Sequence, residues 1–284
     1  NGNLVLNSNG SFTYTPNQGF SGQDSFTYSA SDGNGGSDTA TVTITVNAVA
    51  PPPPPPSGLI TNGLVADFRT GQSVDTSGST VVGWQDGSGQ GNVLTALGDP
   101  QLIANATPTG QSAIAFDGTD DLLQRTDALN GLVGGDGDRS MFFVVDYLNP
   151  EGVSSGVAYG DAALNEAFGL VVDRSGDMEV QGYGSSNDLD SNVNGVNGGF
   201  LVQSVVVDDD FVSHFLNGDF IDTQTQSFNT DLQKLVIGAE IGGAGEAQMQ
   251  VASVLIYDRA LSESERGDVE TYLQQLYIDD NFVF

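Results

Sequence analysis

Apolar and polar positions alternate with a period of two along most of this chain. Before residue 47, the runs GSFTYTP, DSFTYSASD and DTATVTITV place an aromatic or β-branched residue at about every second position. That is the pattern of strands with one face against a core. DGNGG, between the last two runs, supplies the residues that take positive φ in a hairpin. Beyond residue 58, MFFVVDYL, FGLVVDRSG, FLVQSVVVD, SHFLNGDFID, KLVIGAEI and MQVASVLIYD are strand-like runs separated by Gly, Asn and Asp. The Asn-Gly of LNGDFID predicts a tight hairpin. Only LSESERGDVETYLQQLYI changes period: Val269, Leu273 and Leu276 share one helical face. Ser262 is a good N-cap, and Glu265 three residues later completes a capping box. The pattern therefore predicts an all-β chain, an antiparallel sandwich with one short C-terminal helix.

Pro51 to Pro56 interrupt this alternation. Polyproline neither forms a helix nor pairs as a central strand, and it acts as a stiff spacer of ~3.1 Å per residue. Three parts are expected: residues 1–47, a linker at 48–57, and a second domain at 58–284.

Composition narrows the partners. Lys and Arg total 7 against 37 Asp and Glu, a formal charge of -30 over 284 residues. Such a surface repels nucleic acid and anionic membranes, and it suits divalent cations. The chain has no Cys, so disulfides and thiolate metal sites are excluded. No apolar run approaches the ~20 residues of a membrane-spanning helix. The chain starts at Asn1 without a signal segment, which reads as a piece of a longer secreted precursor.

Over residues 3–46, the order and spacing of these runs resemble the C-terminal half of a bacterial cadherin-like, immunoglobulin-type repeat. Half a sandwich leaves open sheet edges and a bare apolar face, so self-association with a neighbouring copy is expected. In the second domain, GLVADFRT, VVGWQDGSGQGNVLTA, AIAFDGTDDLL and VLIYDRALSESERGDVETYLQQLY follow in order. Together they resemble the laminin-G-like, concanavalin-A-type domain over roughly residues 58–278. The resemblance implies a two-sheet antiparallel jelly-roll sandwich and, loosely, recognition, because this fold hosts lectins, adhesion modules and glycanases alike.

Candidate chemistry is sparse. Retaining glycanases of this fold place two carboxylates ~5–5.5 Å apart on one strand, and no E-x-D-x-x-E string is present. His214 is the single His, no G-x-S-x-G accompanies it, and a structural role is expected. DLDSNVNG has Val193 where an EF-hand needs Gly, and GGDGDR has Arg139 where a calcium β-roll needs a ligand. A calcium site is instead expected from WQDGSGQGN and FDGTDDLL, with Asp86, Asn92, Asp117, Asp120 and Asp121 sharing the cation. Trp84 is expected to be buried. Tyr159 and Tyr183, flanked by Gly, are the candidate sugar-stacking rings, and Asp188, Asp190, Asn192 and Asn194 the candidate polar contacts of a loop.

The expected function is non-enzymatic recognition of carbohydrate or another cell-surface ligand, calcium-dependent, within a large secreted or surface bacterial protein. Two alternatives stay open. One is a structural module of an extracellular fibre or adhesive layer, with the half-repeat completing a neighbour's sheet. The other is an accessory module of a polysaccharide-degrading enzyme.

Overall fold

The computed structural model describes residues 1–7, 10–17, 20, 22–31, 33–46, 58–72, 74–149, 154–184, 188–194, 198–242 and 247–278. The chain divides into two compact units, Asn1–Pro52 and Pro53–Phe284. The expected spacer at 48–57 lies outside the described residues.

The first unit contains β1 (Gly2–Leu6), β2 (Phe12–Pro16), β3 (Gly22–Ser31) and β4 (Ser37–Val46). β1 pairs with β2, and β3 pairs in register with β4 from Gly22↔Val46 to Ser31↔Ser37. Phe12 and Phe26 meet edge to face at 5.1 Å. Val5, Leu6, Phe12 and Tyr28 are exposed, and no described residue of this unit is buried. Val5 and Leu6 are neighbours on β1, so these exposed apolar side chains fall on both faces of the β1–β2 pair.

The second unit continues with β5 (Leu64–Arg69), β6 (Val74–Ser77), β7 (Thr80–Trp84), β8 (Leu94–Leu97), β9 (Gln101–Ile103), β10 (Ala113–Asp117) and β11 (Leu122–Arg125). Next come β12 (Arg139–Asn149), β13 (Ser155–Gly160), β14 (Ala167–Val172), β15 (Asp177–Gln181) and β16 (Leu189–Asn194). The last elements are β17 (Leu201–Asp208), β18 (Phe211–Leu216), β19 (Asp219–Thr225), β20 (Lys234–Ile237), β21 (Gln248–Tyr257) and α1 (Glu263–Tyr277).

All pairings are antiparallel. One sheet runs β9–β10–β21–β12–β17–β18–β19, with β5 on the flank of β21 beyond β10. The other runs β6–β7–β8–β11–β20–β13–β14–β15–β16. Thr80↔Gln101 joins the two at one edge.

Between the sheets lies a core that includes Phe68, Trp84, Phe116, Phe143, Tyr147, Phe168 and Ile256. Period two places Met141, Phe143, Val145 and Tyr147 of β12 in this core, and Phe142 and Val144 on the opposite face. There α1 covers them with Val269, Tyr272, Leu273 and Leu276. Burial on both faces explains why MFFVV is a continuous apolar run. The helix begins as its sequence predicts: Ser262 accepts from Glu265 N–H, and Glu265 accepts from Ser262 N–H. Asp67 and Arg69, from GLVADFRT, pair on β5, and Arg69 also donates to the Tyr272 hydroxyl at 2.5 Å, fixing the helix to the sheet. Among the described residues, no helix is long and apolar enough to cross a membrane.

Candidate functional site

The two glycine-rich elements from which a shared calcium site was expected fold as separate turns. Asp86 Oδ1 accepts from Asp67 and Ser88 N–H at 3.0 and 2.8 Å, and its Oδ2 accepts from Asn92 N–H at 3.0 Å. Asn92 is fully buried: it donates to Val65 O and Asn130 O and accepts from Asn130 N–H. Asp117 accepts from Thr119 N–H at 2.7 Å, the bond of an Asx turn. Asp121, buried, accepts from Asp99 and Asp117 N–H at 2.7 and 3.0 Å, and burial raises its pKa. The carboxylate oxygens that converge within 4.8 Å are those of Asp99, Asp120 and Asp121. Asp86 and Asp117 stand outside that group, so the expected five-residue site is not assembled. The physical reason is that backbone N–H groups of the turns already occupy Asp86, and Asn92 braces three segments of chain.

The candidate sugar ligands also separate. Tyr159 is fully buried in the core and so cannot stack on a ligand. Its hydroxyl donates to Val133 O and accepts from Arg139, both at 3.2 Å. Arg139 itself is buried, and its guanidinium donates to Gly135, Val133 and Gly137 carbonyls and to Thr230 Oγ1, above the Phe168 ring. The supposed β-roll position is thus a structural cation.

Tyr183 is half-buried with φ +62°, packed beside Ile241 and Gly242. Asp190, Asn192 and Asn194 lie on β16 rather than on a loop, with Glu179↔Asp190 and Asp177↔Asn194 in register. Asp190 accepts from Asn192 N–H at 2.7 Å, and Asp188, just before the strand, accepts from Gly182 N–H at 3.0 Å.

Around these residues, the outer face of β15 carries two groups that sequence reasoning missed, Glu179 and Gln181. Burial, then the charges of Asp188, Asp173, Asp190 and Glu240, push Glu179 up to about 8. Met178 and Val180 point into the core, so DMEVQ alternates as strands do. Only the pairing of β15 with β16 shows that the polar face collects carboxylates from several elements.

A third place was also missed. The helix covers β12 and β17 and reaches Phe215 of β18 through Arg266, but leaves Phe211 of β18 and Phe220 of β19 uncovered. Phe211 and Phe220 are 62% and 60% exposed. Phe215 and Phe220 meet at 5.7 Å, and the Arg266 guanidinium lies 3.7 Å over the Phe215 ring. Val206, Asp208, Ser213, Leu261 and Glu263 complete an open groove of roughly 620 Å³. Alternation within FVSHF put Phe211, Ser213 and Phe215 on one face; what covers that face is not written in the local sequence. His214 faces the other way, is buried and stays neutral because burial lowers its pKa to about 4. Its Nε2 lies 3.1 Å from Gln203 Nε2.

Comparisons with known proteins fit this architecture. Residues 1–48 match the bacterial cadherin-like domain family. No curated protein matches the sequence. Domain 4 of AbnA, an extracellular arabinanase from Geobacillus stearothermophilus, solved with arabinotriose, superposes with a TM-score of 0.56 at 17% identity. That match covers 73% of this chain and 98% of the domain. Trypanosoma rangeli sialidase, solved with sialic acid, gives 0.56 at 15% identity over 78% of this chain and 35% of the enzyme. Botulinum neurotoxin type C, from a study of cell entry through two ganglioside molecules, gives 0.54 at 12% identity over 76% and 52%. At these identities the likeness is one of fold: the second unit is a β-sandwich of a kind found in carbohydrate-binding and glycoside-hydrolase-associated proteins, and the first matches a bacterial cadherin-like domain.

Proposed function

We propose that the second unit is a carbohydrate-binding module of laminin-G-like type that acts outside the cell without catalysing a reaction. The observation that carries this is the phenylalanine shelf. Phe211 and Phe220 offer exposed rings, Phe215 packs beside Phe220 beneath the Arg266 guanidinium, and Asp208, Ser213 and Glu263 stand around them with hydrogen-bonding oxygens. Apolar stacking surface beside a few polar groups is what a sugar ring requires. Support comes from the arabinotriose-bound protein of similar fold, and from the cadherin-like match in the first unit.

The net charge of -30 selects among glycans. Uronic, sialylated or sulfated chains are repelled, so the ligand is a neutral polysaccharide such as an arabinan. Titration with neutral and anionic oligosaccharides tests this. Binding of the neutral class alone is expected, and no binding of either class would remove the proposal. Incubation with the bound polysaccharide should release no reducing ends.

A second role belongs to the first unit. Its exposed Val5, Leu6, Phe12 and Tyr28 favour pairing with another chain, as in a fibre or adhesive layer. A strictly monomeric solution mass at high protein concentration would exclude it.

A further inference from the structure

The Asn-Gly turn between β18 and β19 closes against α1. Asn217 and Gly218 have φ of 51° and 89°, the left-handed pair of a two-residue hairpin. Gln274 Nε2 donates to Asn217 O at 2.7 Å. Arg266 donates to Glu270 and, at 3.5 Å, to Gly218 O. Between turn and helix lies a second open groove of roughly 460 Å³, lined among others by Asp219, Ser264, Gly267, Asp268 and Thr271. It shares Gly218, Glu263 and Arg266 with the phenylalanine shelf, so the two grooves adjoin at Arg266.

Gly267 sits inside α1, where neither packing nor backbone conformation explains it. Its φ is not in the left-handed range, and a Cβ there would meet no atom within 4 Å. Glycine inside a helix weakens it relative to alanine. Close approach of a ligand to the backbone is a reason to keep one. Gly218 differs, because the hairpin itself requires its positive φ.

We propose that this groove is a second subsite for the neutral glycan of the shelf. The ligand is then an oligosaccharide that leaves the phenylalanine rings, crosses Arg266 and lies along α1 over Gly267. The class of ligand rests on the shelf reading. The groove complements the shelf in chemistry: the exposed carboxylates of Asp219 and Asp268 and the hydroxyls of Ser264 and Thr271 stand where the shelf has rings. Ionised carboxylates accept from sugar hydroxyls in charge-assisted bonds, and their charge turns away uronic or sulfated units. Among the described residues, Asp219, Glu263 and Asp268 do not converge within 4.8 Å of one another, so they are not gathered for a cation. Beneath them Glu270 is 2% exposed and held by Arg266 and Ser204, which keeps the floor in place before a ligand arrives.

Calorimetric titration of the full chain with neutral linear arabino- and cello-oligosaccharides, from disaccharide to hexasaccharide, tests the subsite. Affinity for the series that binds is expected to rise at least tenfold with length. Gly267→Leu fills the groove without touching the phenylalanine rings. It should bind the disaccharide as the parent does and lose the tenfold gain. Gly267→Ala should melt above the parent, and a lower transition would overturn the argument that packing leaves this position free. Parent affinity that is flat with length, or a gain retained in Gly267→Leu, would overturn the proposal and leave the shelf reading standing. Absence of binding at every length would overturn both. If Gly267→Leu fails to fold, the double variant Asp268→Ala, Thr271→Ala decides by the same loss of the length gain.

Discussion

Arg139 carries its charge with none of its surface exposed, held by carbonyl oxygens and two phenylalanine rings rather than by a carboxylate. Replacing it with Met removes the charge but leaves the carbonyls of Val133, Gly135 and Gly137 without donors. Orphaned buried acceptors make this variant about 3 kcal/mol less stable in urea denaturation, with the fold retained. Glu179 makes the opposite case. Its folded value of about 8 lies above the ordinary 4.5. The protonated form is favoured in the folded state, so this residue costs nothing below about pH 4.5. Its destabilising effect grows as pH rises toward 8 and is constant above that. Glu179→Gln should therefore raise the denaturation midpoint at pH 8 and leave it unchanged at pH 4. An equal gain at both values would contradict the assigned shift.

Tyr159 shows why some sites are illegible residue by residue. Gly160 beside it resembles a loop tip. It marks instead a close backbone approach, because a Cβ there would stand 2.2 Å from Glu166 O. Glycine in a strand interior often marks such a close approach. Trp84, in contrast, was placed correctly because it ends a run of apolar residues, and it packs on Phe68 at 5.7 Å.

Among the elements, α1 was the most legible. Its cap and its apolar stripe are local, and both appear in the structure. Ser262→Ala removes the acceptor for Glu265 N–H and should cost about 1 kcal/mol in thermal or urea unfolding. The strands β12 and β21 were legible from their apolar runs. The segment DLDSNVNG was not, because its Asn and Asp residues read as a loop while cross-strand pairing to β15 makes it β16. The pairing partner lies outside the segment, so local pattern could not supply it. The same limit hid the shelf: FVSHF shows which residues share a face, whereas the reach of α1 across the sheet decides which face stays bare.

At the scale of the molecule, the fold class was evident from periodicity and turn residues, and the turns WQDGSGQGN and FDGTDDLL serve chiefly to build it. Every buried residue of the described chain lies in the second unit. Residues 58–284 expressed alone should therefore melt within about 2 °C of the corresponding transition in the full chain. A markedly lower transition would mean that the first unit contributes to the core.

The central claim is that the phenylalanine shelf holds a neutral glycan, and Phe211→Ala, Phe220→Ala tests it most directly. Both side chains are largely exposed, so the double variant should fold and melt as the parent does. Titrated with the neutral oligosaccharide that binds the parent, it should show at least a tenfold loss of affinity, about 1.4 kcal/mol. Unchanged affinity in the folded double variant would contradict the claim and move the ligand to another face.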